Sequence, residues 1–303
     1  MNPSPVRRAD PRDLLALAVA TAEEAAELVA RGRATAGENV ALKSSPVDVV
    51  TAVDTASEEL IVGRLLAVRP DDGVLGEEGA AREGTSGVRW VIDPIDGTVN
   101  FLYDLPAYAV SIAAEVDGEV VAGVVLNVAT REMFTATRGG GAFFSSPVRP
   151  EPLRLAGSSP ASLDQTLVAT GFGYRVEQRR AQGTVVAALL PRVRDIRRFG
   201  SAALDLCAAA MGRTDAYYEL NLNPWDHAAG ALVAAEAGLV VTGLPGSPFA
   251  EPMAIAAAAS IAGPFIDLLV ELIKDPPAPH RSQARGGSLQ EGRQQEGRQQ
   301  EGR

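Results

Sequence analysis

The chain has 303 residues, 46% of them hydrophobic and 22% charged, with a formal net charge of −10 at pH 7. This is a globular composition, long enough to bury a sizeable core, and its acidic balance disfavours bulk attraction to nucleic acid or anionic lipid. One cysteine, Cys207, and two histidines, His227 and His280, exclude disulfides within the chain, paired-cysteine zinc sites and centres built on several imidazoles.

A bound metal must therefore take mostly oxygen ligands, which points to Mg²⁺, Mn²⁺ or Ca²⁺. Residues 1–13 are polar and Pro-containing, with nothing that reads as a targeting signal, so a cytoplasmic protein is expected. Residues 13–31 predict an amphipathic helix, with Leu14, Leu17, Ala18, Ala25, Leu28 and Val29 near helical spacing and Gly32 as a stop. Lys43-Ser44-Ser45-Pro46-Val47-Asp48 reads as a loop. A second helix is expected over 54–68, ended by Pro70.

The middle of the chain predicts strands. Residues 88–92 form a short apolar one, stopped by Asp93-Pro94. Two apolar runs, 108–116 and 120–128, meet at Asp117-Gly118, a strong hairpin signal. Segments 131–137 and 141–144 extend the sheet, with Gly139-Gly140-Gly141 as the turn between them. The second half alternates: strand 167–170, helix 176–190, helix 202–211, strand 215–220, helix 226–237 closed by Gly238, strand 253–257, helix 264–274. Such alternation after a meander implies helices layered on sheets. From Pro276 the chain is Pro-rich and then repeats Gln-Gln-Glu-Gly-Arg, with almost no apolar surface to bury, which predicts disorder.

The chemical signal centres on Trp90-Val91-Ile92-Asp93-Pro94-Ile95-Asp96-Gly97-Thr98-Val99-Asn100-Phe101. Two carboxylates leave an apolar strand with no lysine or arginine between Trp90 and Phe101, so they raise each other's pKa or need a cation between them. Gly97-Thr98 can open a helical turn whose free N–H groups favour phosphate. On spacing alone, a plain strand–turn–helix junction with Asp96 as N-cap explains the same residues equally well. Leu75-Gly76-Glu77-Glu78-Gly79 reads locally as a solvated acidic loop, or as Glu77 reaching the same cation. Asn223-Pro224-Trp225-Asp226-His227 places Asp226 where an N-cap is wanted, and capping suffices to explain it. His227 is expected to be packed or hydrogen-bonded. The chain has no Gly-x-Ser-x-Gly elbow, no P-loop and no Gly-x-Gly-x-x-Gly junction.

Taken together, these segments resemble the inositol monophosphatase family. The shared pattern runs from about Lys43 to Glu236: Lys43 to Thr51 with Asp54, then Gly76-Glu77-Glu78, Asp93 to Thr98 with Asn100-Phe101, Arg198-Phe199-Gly200-Ser201-Ala202-Ala203, Asp215-Ala216-Tyr217-Tyr218-Glu219, and Trp225-Asp226 to Gly230. The resemblance implies a five-layer αβαβα sandwich over residues 1–275, a single unit with two sub-halves, and a homodimer inhibited by Li⁺. It implies that Glu77, Asp93, Asp96, Asp226 and the Ile95 carbonyl hold two or three Mg²⁺. Thr98 and Asp54, with Glu77, would form the catalytic group that orients and deprotonates the attacking water. Backbone N–H groups of Gly97 and Thr98 would hold the phosphate, and Glu219, Ala202, Asp96 and Asp226 would contact the alcohol. The Lys43 segment looks like a mobile loop that helps hold a further metal. Asn223 stands where some members have histidine, and the Gly171-Phe172-Gly173-Tyr174 segment varies in the family.

The activity implied is Mg²⁺-dependent hydrolysis of inositol monophosphate, in which charge neutralisation and positioning carry phosphoryl transfer and no histidine is needed. The same chemistry on fructose 1,6-bisphosphate, histidinol phosphate or adenosine 3′,5′-bisphosphate is the nearest alternative. A catalytically idle binding protein is the other. The expected partner is a small phosphate ester, with neither nucleic acid nor membrane.

Overall fold

The computed structural model describes residues 9–33, 40–42 and 49–274. The Lys43 segment, expected as a loop, and the tail from Pro276 lie outside the described residues. Helix α1 (Pro11–Gly32) precedes a short antiparallel pair, β1 (Val40–Leu42) and β2 (Val49–Thr51), then α2 (Ala52–Val68). Strands β3 (Gly73–Gly76), β4 (Ala81–Arg82) and β5 (Val88–Asp96) lead to the short α3 (Thr98–Tyr103). A meander follows: β6 (Ala109–Val116), β7 (Glu119–Asn127), β8 (Met133–Thr137), β9 (Gly141–Ser146) and β10 (Arg149–Arg154). The second half runs β11 (Leu167–Thr170), α4 (Val176–Leu189), β12 (Asp195–Arg197), α5 (Ala202–Ala210) and β13 (Ala216–Leu220). It ends with α6 (Pro224–Glu236), β14 (Val240–Thr242), β15 (Met253–Ala257) and α7 (Ala262–Lys274).

Eight strands form one sheet in the order β10-β9-β8-β7-β6-β5-β3-β4, antiparallel except where β3 runs parallel to β5. The other sheet has the order β12-β11-β13-β15-β14 and is mixed. Successive strand residues point to opposite faces, so neighbours such as Val124 and Val125 serve different cores. On one face of the large sheet, α1 and α2 bury Leu14, Ala22, Ile61 and Leu65 against Trp90, Ile112 and Val124. On its other face lie α5 and α6, whose Leu206, Ala229 and Val233 join Val91, Ala113 and Val125 to Tyr217 and Ala256 of the second sheet. Beyond that sheet, α4 and α7 bury Leu189, Phe265 and Leu269 on Val168 and Ile255. The order is α/β/α/β/α, the five layers expected.

The middle helices are built from small residues because they are covered on both sides. A Cβ at Gly123 of β7 would stand 3.0 Å from Ala229 Cα, and one at Gly230 of α6 would stand 3.0 Å from Leu206 Cβ. Close packing of this kind leaves no room for even one added carbon without a shift.

Several expectations are met closely. Strands β11 and β15 have the predicted bounds, and the hairpin turns at Asp117 (φ 54°) and Gly118 (φ 83°), the doubly positive pair of a type I′ turn. The glycine run at 139–141 is a turn between strands, with the N–H groups of Gly139 and Gly141 each donating to one oxygen of Glu236 at 2.8 Å. Others need correction. Helix α1 runs through Gly32 instead of stopping at it. Helix α6 begins at Pro224, which suits the first helical position, so Asn223 is the N-cap and Asp226 lies one turn in. Strand β5 is not stopped by Asp93-Pro94 but continues to Asp96 across an irregularity in its pairing with β6.

Candidate active site

That irregularity is where the site begins. Asp93 pairs with Ser111 and Asp96 with Ala109, so three steps along β5 match two along β6: one residue is inserted, a bulge. Pro94 has no N–H to give the ladder, which favours a bulge at this point. In a regular strand, residues three apart face opposite sides. The extra residue restores the phase, and both carboxylates serve one pocket, where burial and then the charges of Glu77 and Asp96 raise the pKa of Asp93. Gly97 then turns the chain with φ +94°, and a Cβ there would lie 2.9 Å from the Ala107 carbonyl oxygen. Helix α3 opens at Thr98 with Gly97 as its N-cap.

Thr98 is tied to a residue far away in sequence. Its hydroxyl lies 3.0 Å from Asp54 Oδ1 and 3.1 Å from the carbonyl oxygen of Ile95, a side chain buried in the α1/α2 core. Asp54 is the third residue of α2. Its Oδ2 accepts from the Thr51 N–H at 2.9 Å and from the Thr51 hydroxyl at 2.5 Å, the return half of a capping box. Burial raises the pKa of Asp54, while the hydrogen bonds from Thr51 and Thr98 oppose the shift.

The acids from separate segments converge. Burial, and then the charges of Glu77, Asp96 and Asp226, hold Asp93 well above the ordinary carboxylate range, and Glu77 is hydrogen-bonded to it. Asp96 is pushed up to about 6, chiefly by burial. Against this, its Oδ2 accepts from the Ser201 hydroxyl at 2.6 Å and the Ala203 N–H at 2.7 Å, at the start of α5. Ala202, the first residue of that helix, is buried beside it. Asp226 is also raised well above its usual value, by burial and then by Asp96, although it accepts from the Asn223 N–H at 2.6 Å. Glu219, at the end of β13, is pushed up to about 7 by burial. It accepts from the Tyr217 hydroxyl at 2.8 Å, and its charge acts on Asp226.

The structure thus brings Asp54, Glu77, Asp93, Ile95, Asp96, Gly97, Thr98, Ala202, Glu219 and Asp226 to one place. Among the described residues no three acidic, histidine or thiol groups are arranged as a finished metal cage. The donor set nevertheless suits a hard divalent cation. All its groups are oxygens, the acids are close enough to oppose one another's ionisation, and Arg198 is the cation whose charge reaches Glu219. His227 takes no part: it packs edge-on to Phe249 at 5.1 Å between ring centroids, and burial lowers its pKa to about 4.

Gly171 belongs to a segment already named from sequence, whereas Ser57, Glu58 and Asp205 were not singled out. Gly171 makes room for Glu219, since a Cβ there would lie 2.0 Å from its Oε2. Ser57 and Glu58 of α2 contact site loops, as described below. Asp205 of α5 is buried with neither carboxylate oxygen hydrogen-bonded among the described residues. The spacing of Ser57 and Glu58 from Asp54, three and four positions along a helix, was the one local signal available for them.

A model of the inositol monophosphatase family matches residues 10–274. The Inositol-1-monophosphatase SuhB of Mycobacterium tuberculosis (strain ATCC 25618 / H37Rv) is 47% identical over 251 residues, spanning 80% of this chain and 86% of that protein. The Nus factor SuhB of Escherichia coli (strain K12) is 40% identical over 235 residues, 77% of this chain and 86% of its own length. Among solved structures, Mycobacterium tuberculosis SuhB superposes with a TM-score of 0.75 at 43% identity, covering 86% of this chain and 97% of that one. With the layered fold and the acid pocket at the β5 bulge, these matches lead to one conclusion: the chain belongs to the inositol monophosphatase family.

Proposed function

We propose that this protein is a Mg²⁺-dependent phosphomonoesterase that hydrolyses inositol monophosphate to inositol and phosphate. The observation that carries the reading is the pocket in which Glu77, Asp96 and Asp226 all act on Asp93, beside the Thr98–Asp54 pair. Glu77, Asp93, Asp96, Asp226 and the Ile95 carbonyl would hold two or three ions. Bound there, Mg²⁺ supplies a water nucleophile near neutral pH and neutralises charge on the departing oxygen.

The chain's own groups do the rest. Thr98 hands a proton from the attacking water toward Asp54, whose burial-raised pKa suits it to accept one. The N–H groups of Gly97 and Thr98 hold the phosphate oxygens at the opening of α3. Glu219, held by Tyr217, orients the alcohol with Ala202, Asp96 and Asp226. The bond from phosphorus to the alcohol oxygen breaks as the bond from water forms; the departing alkoxide takes a proton from solvent water, and the proton left on Asp54 returns to solvent. The reading includes a cytoplasmic homodimer.

Phosphate release from inositol 1-phosphate in excess Mg²⁺, abolished by chelator, tests it. Run beside fructose 1,6-bisphosphate, histidinol phosphate and adenosine 3′,5′-bisphosphate, the same assay ranks the substrates. No release from any of them overturns the reading. It would favour a second one, a binding role without catalysis, for which the name Nus factor on the Escherichia coli relative is the supporting observation.

A further inference from the structure

We propose that Glu58 is a positioning residue for the acid pocket: its carboxylate fixes the loop that presents Glu77, so that one face of α2 sets three site segments against one another. The inference rests on the reading of Glu77 as a metal ligand.

Glu58 is only 5% exposed, and a charge so placed requires partners. It has them at both ends of one tight turn. Oε2 accepts from the Glu78 N–H at 2.8 Å and Oε1 from the Ala80 N–H at 2.9 Å. The same turn is closed by the Gly76 N–H donating to the Ala80 carbonyl at 2.7 Å, and the Glu77 N–H donates to Ile92 of β5 at 3.2 Å. The backbone on each side of Glu77 is thereby held, and its side chain meets Asp93, the residue after Ile92. Gly76 provides the room: a Cβ there would stand 2.2 Å from Glu58 Oε2.

The helix that carries Glu58 also carries two other contacts to the site. Asp54 accepts from Thr98, and the Ser57 hydroxyl donates to the Pro94 carbonyl at 3.3 Å, inside the β5 bulge. Positions 54, 57 and 58 share one helical face. About one and two turns further on, Ile61 and Leu65 are fully buried in the core under the sheet. A rigid helix therefore touches the start of α3, the bulge and the β3–β4 turn through three neighbouring side chains.

A carboxylate is needed at position 58 because two N–H donors require two acceptors. Glutamine has the same shape but one acceptor, and it would turn its NH₂ group against the other amide. Outer residues that orient metal ligands typically control affinity by about 10–100-fold. For Glu58→Gln in the full chain, we expect Mg²⁺ and Mn²⁺ binding, measured by titration calorimetry without substrate, to weaken by about 10–100-fold. Amide hydrogen exchange at Glu78 or Ala80 should quicken, while the β6–β7 hairpin keeps its protection. Ala80→Pro removes one donor and leaves Glu58 in place; it should weaken Mg²⁺ binding in the same way, and it serves should Glu58→Gln not fold. Unchanged ion affinity, or unchanged exchange in the 77–80 turn, overturns the proposal. A wild type that binds Mg²⁺ but releases no phosphate sinks the phosphatase reading alone, since the calorimetric loss in the variant is still required.

Discussion

Glu219→Gln in metal-free protein isolates the cost of keeping a buried acid in the pocket. The wild-type carboxyl titrates at about 7 when folded against 4.5 ordinarily, so the folded state holds this proton more tightly than the unfolded chain. The contribution is fully present below pH 4.5 and is lost as pH rises through 7. Between pH 5 and pH 8 the loss is about two pK units, or roughly 2–3 kcal/mol. Glutamine does not titrate and still accepts from the Tyr217 hydroxyl. The variant should thus melt near wild type at pH 5 and above it at pH 8, by about 5–10 °C. Thermal denaturation of both proteins in chelator, across that range, is the assay. Taking the difference between them cancels the opposite titration of His227. A melting gap that does not change with pH refutes the reasoning. Added Mg²⁺ should narrow the gap, because nearby cations favour the ionised acid.

Three further outcomes are expected. Asp93→Asn should lower phosphate release by about 100-fold or more while leaving the metal-free melting temperature equal or higher, since it removes a buried acid whose ionisation burial, Glu77, Asp96 and Asp226 oppose; kinetics and calorimetry check the two halves. Gly171→Ala forces Glu219 off its place and should cost about 1–3 kcal/mol while raising KM for inositol 1-phosphate; denaturant titration and steady-state rates measure both. His227 titrates at about 4 when folded against 6.5, so stability present above pH 6.5 is lost as pH falls through 4, and His227→Phe should remove a loss of about 3 kcal/mol from the acid limb of the stability profile.

The large elements were legible because their apolar patterns are regular and their turns carry strong local chemistry, as at Asp117-Gly118. Elements that depend on a neighbour were not. Strand β10 is exposed at every residue and carries two prolines, so no alternation marks it; it exists by pairing with β9 at the sheet edge. Pro94 read as a stop because a missing N–H normally ends pairing, whereas here the bulge absorbs it. The acids of the site were legible only as a set, through their resemblance to a family pattern; singly, a cap or a solvated loop explained each of them. Glu58 and Ser57 were illegible for a different reason: their partners, the turn after Gly76 and the Pro94 carbonyl, lie about 20 to 40 residues away and come near only in the folded molecule.

Two of the pocket acids have a second occupation. Asp54 and Asp226 each reach back to an N–H at the mouth of a long helix, α2 and α6, and so hold those helices at their first turn. Asp93 instead accepts from the Ile95 N–H at 3.0 Å within its own strand, and Glu77 is hydrogen-bonded to Asp93. In a lineage that gave up catalysis, selection on folding alone would keep the first pair and release the second. The survival of Asp54 and Asp226 in a relative therefore says little about whether it still turns over an ester, and the survival of Asp93 and Glu77 says a good deal.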